Sequence, residues 1–169
     1  MPEILAPAGS LPALYGALNA GADAVYVGAD KFSARAYAEN TSSQEICEAL
    51  DYAHLFNVKV YVTLNTILND EELKKAQKLI KELEDINVDA LIIQDMGLLE
   101  LEHKIPYHAS TQCNNRTVEK VKFLEQAGFE RVVLARELSL EQIKEIKKQT
   151  SVELEIFVHG ALCVSYSGQ

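Results

Sequence analysis

Four stretches of the chain repeat one pattern of polar and apolar positions: "GADAVYVGA" (21–29), "NVKVYVTLN" (57–65), "NVDALIIQD" (87–95) and "GFERVVLAR" (128–136). Each opens on glycine or asparagine, passes a polar residue, and enters a run rich in β-branched and aliphatic side chains. Glycine or asparagine is what a helix needs at a left-handed C-terminal cap. The apolar run that follows suits a strand buried on both faces, as in a parallel sheet.

Between these runs the apolar period lengthens from two to that of a helix. "NDEELKKAQKLIKELEDI" (69–86) sets Leu73, Ala76, Leu79, Ile80 and Leu83 on one stripe, with Asn69 or Asp70 as its N-cap. "SLEQIKEIKKQT" (139–150) opens on Ser139, three residues before Gln142, which is a capping-box spacing. The segments 41–56 and 114–127 read the same way, and their charged positions form a solvated face. Strands are predicted near 3–6, 23–27, 58–63, 88–93, 105–108, 131–134 and 152–157, with helices separating them.

Strict alternation of strand and helix predicts a parallel sheet with right-handed crossovers. The fold class is therefore α/β. "APAGS" (6–10) has one glycine where a dinucleotide-binding turn needs three, so a doubly wound nucleotide fold is disfavoured. The series fits a (β/α) barrel of the TIM type, incomplete, with about seven parallel strands present and the eighth missing. A full barrel takes about 250 residues, so residues 1–169 are expected to be the N-terminal part of a barrel domain truncated from a longer protein.

Composition changes this picture little. At 169 residues, 48% hydrophobic and 24% charged, the chain is an ordinary globular domain. No apolar run approaches the roughly 20 residues of a membrane span. The N-terminus lacks a basic region and is broken by Pro2, Pro7, Gly9 and Pro12, which makes a poor signal peptide. A net charge of −9 opposes non-specific nucleic-acid binding. Three widely spaced cysteines argue for a reducing compartment, so cytoplasmic residence is expected.

In a barrel the chemistry gathers where strands end and the following loops begin. Those positions hold "APAGS", "GADKFSAR", "TLNT", "QD", "HASTQCNN", "ARE" and "HGALC". His108 is a general base or ligand, or else a strand-end histidine bonded to backbone. Asn65, Asp95, Gln112 and Asn114 either bind a polar substrate or cap helices, and for Asp95 capping is favoured. Lys31, Arg35 and Arg136 either receive an anion or form surface ion pairs, and Glu137 pairs with a neighbour. Cys47 reads as a small buried hydrophobe. Cys113 follows the fifth strand with nothing nearby to lower its pKa. Cys163 lies four residues after His159, but a zinc site lacks its other ligands, and a Cys/His dyad cannot be read from sequence proximity.

"EIFVHGALCVSYSG" (155–168) is specific. It resembles the signature of peptidase family U-32, the collagenase-like peptidases: Glu155, Phe157, Gly160, Ala161, Leu162, Cys163 and Gly168 match in order. The signature's second cysteine would fall just after Gln169. "EILAPAGS", "FSAR", "YVTLNT" and "HASTQ" are similar to the same family, so the resemblance covers essentially the whole chain.

Two functions follow from that resemblance. One is iron–sulfur-dependent, oxygen-independent hydroxylation of an RNA base or a quinone, with a 4Fe-4S cluster in the full-length parent and Cys163 as one ligand. The other is peptide-bond hydrolysis, for which no activated nucleophile or zinc set is visible. The resemblance implies catalytic roles for Arg35, His108 and His159, and the loops suggest Asn65, Gln112, Asn114 and Arg136 for substrate. The expected partner of the parent is a small molecule, RNA or peptide. The 169-residue chain alone is expected to hold no cluster and to be inactive, a folding unit or interaction module. Its open barrel edges are expected to favour a homodimer.

Overall fold

The computed structural model describes residues 2–28, 43–160 and 167–168. Seven parallel strands pair in the order of the sequence: β1 (Leu5–Pro7), β2 (Ala24–Gly28), β3 (Lys59–Leu64), β4 (Ala90–Ile93), β5 (Tyr107–Ala109), β6 (Arg131–Val133) and β7 (Glu153–Glu155). Between them run α1 (Leu11–Asn19), α2 (Ser43–Leu55), α3 (Asp70–Asp85), α4 (Val118–Gln126) and α5 (Leu140–Gln149). The sheet curls into a half-barrel. Among the described residues β1 and β7 do not pair with each other, so the barrel is open where an eighth strand would stand.

The repeated glycines and asparagines act as the pattern predicts. Gly21, Asn57, Asn87 and Gly128 all have positive φ, at 87°, 57°, 59° and 101°, and each turns the end of a helix into the next strand. Asn69 is the N-cap of α3 and forms a capping box with Glu72; Ser139 and Gln142 do the same for α5.

The two faces of the sheet differ sharply. Val25, Val27, Val60, Val62, Leu64, Leu91, Ile93, Tyr107 and Val132 point outward and form one large core with the helices, through Leu14, Ile46, Leu50, Ile80, Leu83 and Leu124. The inner face carries only a small apolar cluster of Ala24, Tyr61, Ala90 and Ile92, flanked by Leu5 and Tyr26. Among the described residues most other inward positions are polar, with Val133 an apolar exception.

Three expectations need correction. The connection between β4 and β5 holds a short 3-10 helix, Met96–Glu100, where an α-helix was expected; Gly97 in its first turn weakens helix formation, and the route to Pro106 is too short for a full crossover. The helix expected from 114 begins at Val118, because Thr117 caps it and a 3-10 turn, Thr111–Cys113, ending at left-handed Asn114, comes first. Cys47 is half-buried, whereas its neighbours Ile46 and Leu50 are fully buried. No helix among the described residues is long and apolar enough to cross a membrane.

Candidate functional site

Alternation along the strands divides the lumen into two ends. On β3 it sends Lys59, Tyr61 and Thr63 inward, with Asn65 above them. On β5 it sends His108 inward and Ser110 above it. Ile92, His108, Arg131 and Glu153 are register partners across four strands.

The lower end, where strands begin, is built around Arg131. Its guanidinium meets Glu3 at 2.6 Å, Glu153 at 2.8 Å and Glu155 at 3.6 Å, and it lies 5.4 Å from the ring centre of Tyr61. Glu3 also accepts from Lys59 at 3.1 Å and from the Tyr61 hydroxyl at 2.9 Å. Burial alone would raise the Glu3 carboxyl, but hydrogen bonds from Arg131, Tyr61 and Lys59 outweigh it and hold the pKa at about 2. Glu155 goes the other way, raised because it is buried and only loosely paired.

His108 lies beside this cluster, edge-on to Tyr61 with centroids 4.9 Å apart. It is 5% exposed, and its Nδ1 meets no hydrogen-bond partner among the described residues. Burial first, then the positive charge of Arg131, push its pKa down to about 3, so the ring is neutral at pH 7. The sequence suggests a histidine at a strand end; the structure places it on the strand, one inward position below the mouth. A cavity of about 510 Å³ opens at this lower end, lined by Lys59, Tyr61, His108, Phe129, Arg131 and Glu153. Of its charged lining residues, Lys59, Arg131 and Glu153 are tied into the ion pairs around Glu3 and Arg131, which is the arrangement of a structural floor.

The upper end, the mouth, collects polar groups without a role in the sheet ladder. Asn65 Nδ2 donates to Ser110 Oγ at 3.4 Å, and Gln94 Nε2 donates to the Gln112 carbonyl at 3.4 Å. Asn114 is left-handed, with φ 61°, and its Oδ1 accepts from Arg116 Nε at 2.5 Å. Arg136 lies with its guanidinium 4.0 Å from the ring centre of Phe157, a cation–π contact between the loops after β6 and β7. His159 is exposed just beyond. Asp95 caps the 3-10 helix by accepting from Gly97 N at 2.8 Å and also accepts from Leu68 N at 2.7 Å, so it serves the loop. Arg35, Cys163 and Lys31 lie outside the described residues.

Thus Asn65, Gln112, Asn114 and Arg136 share the mouth, while His108 sits below it. Sequence reasoning overlooked Asn115, which is fully buried and donates through Nδ2 to the carbonyls of Ser110 and Val133, both at 2.8 Å. It ties the end of β5 to the end of β6. It also left Glu137 with an unnamed neighbour: the carboxylate receives the amide of Ser167 at 2.7 Å and its hydroxyl at 3.1 Å. The only sequence signal for either was a polar residue in a strand-end loop.

The described mouth offers hydrogen-bonding amides and hydroxyls and one guanidinium–aromatic pair. It does not offer an activated nucleophile. Ser110 Oγ is engaged by Asn65 and the Gln112 amide, and Ser167 by Glu137 and Thr111, none of them a histidine. Burial pushes the Cys113 thiol up to about 11, and its Sγ rests against the carbonyls of Ile93 and Gln94 at 3.6 and 3.5 Å. Among the described residues no group of three or more His, Cys, Asp or Glu is placed to hold a metal ion. An iron–sulfur cluster needs several cysteine thiolates close together, and Cys113, with its raised thiol pKa, and Cys47 stand on separate elements and do not supply them.

Comparison with known proteins agrees with the fold. The chain is 54% identical over 168 residues to the 23S rRNA 5-hydroxycytidine C2501 synthase of Escherichia coli (strain K12), covering 99% of this chain and 26% of that protein. It is 38% identical over 172 residues to tRNA hydroxylation protein P1 of Bacillus subtilis (strain 168), covering 99% of this chain and 41% of the relative. The chain therefore spans about a quarter to two-fifths of these relatives. A solved U32 peptidase superposes with a TM-score of 0.77 at 20% identity, over 92% of this chain and 68% of that one, and shares its fold. The model of peptidase family U32 matches residues 9–169, nearly the whole chain, and the chain belongs to that family.

Proposed function

We propose that this chain is part of a longer cytoplasmic enzyme that hydroxylates a base in RNA, and that it supplies the substrate-facing side of the barrel mouth. The 54% identity to a protein named for hydroxycytidine synthesis on rRNA carries the reading. The mouth is chemically suited to it. A nucleobase is recognised by hydrogen bonds to its edges and by stacking on aromatic or guanidinium planes. Asn65, Gln112 and Asn114 are amides of the required kind, and the Arg136–Phe157 pair offers a flat cationic surface. With a net charge of −9, this part reads the base; it does not grip the phosphate backbone.

In the full-length protein Cys163 is one ligand of a 4Fe-4S cluster. The cluster would supply the redox chemistry. Anaerobically purified full-length protein is expected to hold about four iron and four sulfide per chain, and Cys163→Ser to lose most of both; the 169-residue chain alone should hold neither. A folded, colourless parent that cleaves peptides, and still does so after Cys163→Ser, would move the function to the peptidase side of the family.

Association is also part of the reading. β1 and β7 are sheet edges, and Ile4, Ile156 and Val158 beside them are 61%, 43% and 88% exposed. Unpaired edges next to apolar side chains invite strand addition. The 169-residue chain is expected to give a dimer mass in light scattering at high concentration; a single monomeric mass across the range would count against this.

A further inference from the structure

Glu155 ends β7, and its side chain faces the lumen because Leu154 before it packs into the outer core. β6 pairs with β7 through Val133 and Glu155, and one step below it pairs with β5 through Val132 and Ala109. Glu155, Val133 and Ser110 therefore share one level, the lowest of the mouth, where Asn65 Nδ2 donates to Ser110 Oγ.

The carboxyl is poorly served there. Glu3 and Glu153 take the Arg131 guanidinium at 2.6 and 2.8 Å, which leaves Glu155 at 3.6 Å, too far for a hydrogen bond. Its Oε2 is buried without a hydrogen-bond partner among the described residues, while the side chain as a whole stays 18% exposed. Burying a carboxyl on those terms costs stability, and an apolar residue such as the neighbouring Val133 would avoid the cost. A group kept in a costly place beside a cleft is one that a site uses. Phe157, two residues further along the same segment, carries the cation–π contact with Arg136.

We infer that Glu155 reads the hydrogen-bonding edge of a base stacked on the Arg136–Phe157 pair. This rests on the base-hydroxylation reading and adds to its amides an acidic group one level deeper. A Watson–Crick edge sets an N–H donor beside an acceptor, and proteins read such edges while stacking the ring. A carboxyl that keeps its proton offers the complement, one donor and one acceptor. Burial favours that form, raising the Glu155 pKa against the opposing pull of Arg131.

The test replaces Glu155 in the full-length protein, in cells whose own copy of the gene is deleted, and reads hydroxylated nucleosides in total RNA by mass spectrometry. The deletion decides the underlying reading: if the hydroxylated bases persist without the gene, that reading fails and this inference with it. Where a hydroxylated base depends on the gene, Glu155→Leu should lower it roughly tenfold or more, the loss expected for a two-bond contact to a base edge, with the melting temperature of the purified protein unchanged. Glu155→Gln, whose amide also sets a donor beside an acceptor, should keep roughly a third or more of it. Wild-type levels in Glu155→Leu would overturn the inference. So would equal losses in the two variants: with a lower melting temperature they make Glu155 a stability residue, and with an unchanged one they make its negative charge, not a donor–acceptor pair, the requirement.

Discussion

Replacing Arg131 with methionine should cost about 3 kcal/mol of folding stability, the lower part of the range for breaking a buried ion pair by removing one partner. The arginine side chain is only 11% exposed, and three carboxylates converge on it from β7 and from the segment before β1. Without it Glu3, Glu153 and Glu155 face one another across the lumen with Lys59 as the nearby cation. The open cavity at that end lets water reach part of the cluster, which is why the lower figure applies. A urea titration reads the effect as a lowered midpoint. Adding Glu3→Gln to the methionine variant should recover part of the loss by removing one stranded charge. If the double variant is less stable than the single by the full cost of Glu3→Gln alone, the two residues act independently and the hub does not exist.

The second large effect is a dependence on pH that one residue carries. His108 has its folded pKa depressed to about 3 from an ordinary 6.5. Between those values the unfolded chain binds a proton that the folded chain refuses, so stability rises with pH and falls on acidification. From pH 7 to pH 5 the loss should be about 2 kcal/mol. The groups facing His108 do not mimic this between pH 7 and pH 5: Glu3, held at about 2 against an ordinary 4.5, gives up its stability mainly below that interval, and Glu155, being raised, shifts stability the opposite way. Both remain in His108→Gln, whose stability should be nearly flat over the same interval. A variant that loses as much as the wild type between pH 7 and pH 5 would assign the dependence to another group.

Much of this architecture was legible in the chain itself. The helix-to-strand junctions could be read because their requirement is local: a left-handed residue must sit there, and Gly21, Asn57, Asn87 and Gly128 are those residues. The capping boxes at Asn69 and Ser139 were legible for the same reason. The Arg131 hub was not. Glu3 and Arg131 lie 128 positions apart, and nothing near either one signals the other; only the curl of the sheet brings them to hydrogen-bond distance. His108 was misplaced by one level because strand register is set by neighbours, here Ile92 on one side and Arg131 on the other, and a strand three residues long has no pattern of its own strong enough to reveal it. The mouth was readable as a set of loops, but which amide clamps and which is free to meet a ligand depends on packing. Asn114 and Asn115 are adjacent and identical, yet one is exposed and the other fully buried between two strands.

The separation of the charged floor from the polar mouth has an evolutionary consequence. The groups whose loss should unfold the chain stand where the strands begin, whereas the groups proposed to meet a ligand stand on loops where the strands end. Exchange of loop residues can then retune what is bound without drawing on the reserve of stability held below. A lineage built this way can diversify its targets while its scaffold drifts slowly, and the two relatives bear names that point to two different RNAs, ribosomal and transfer.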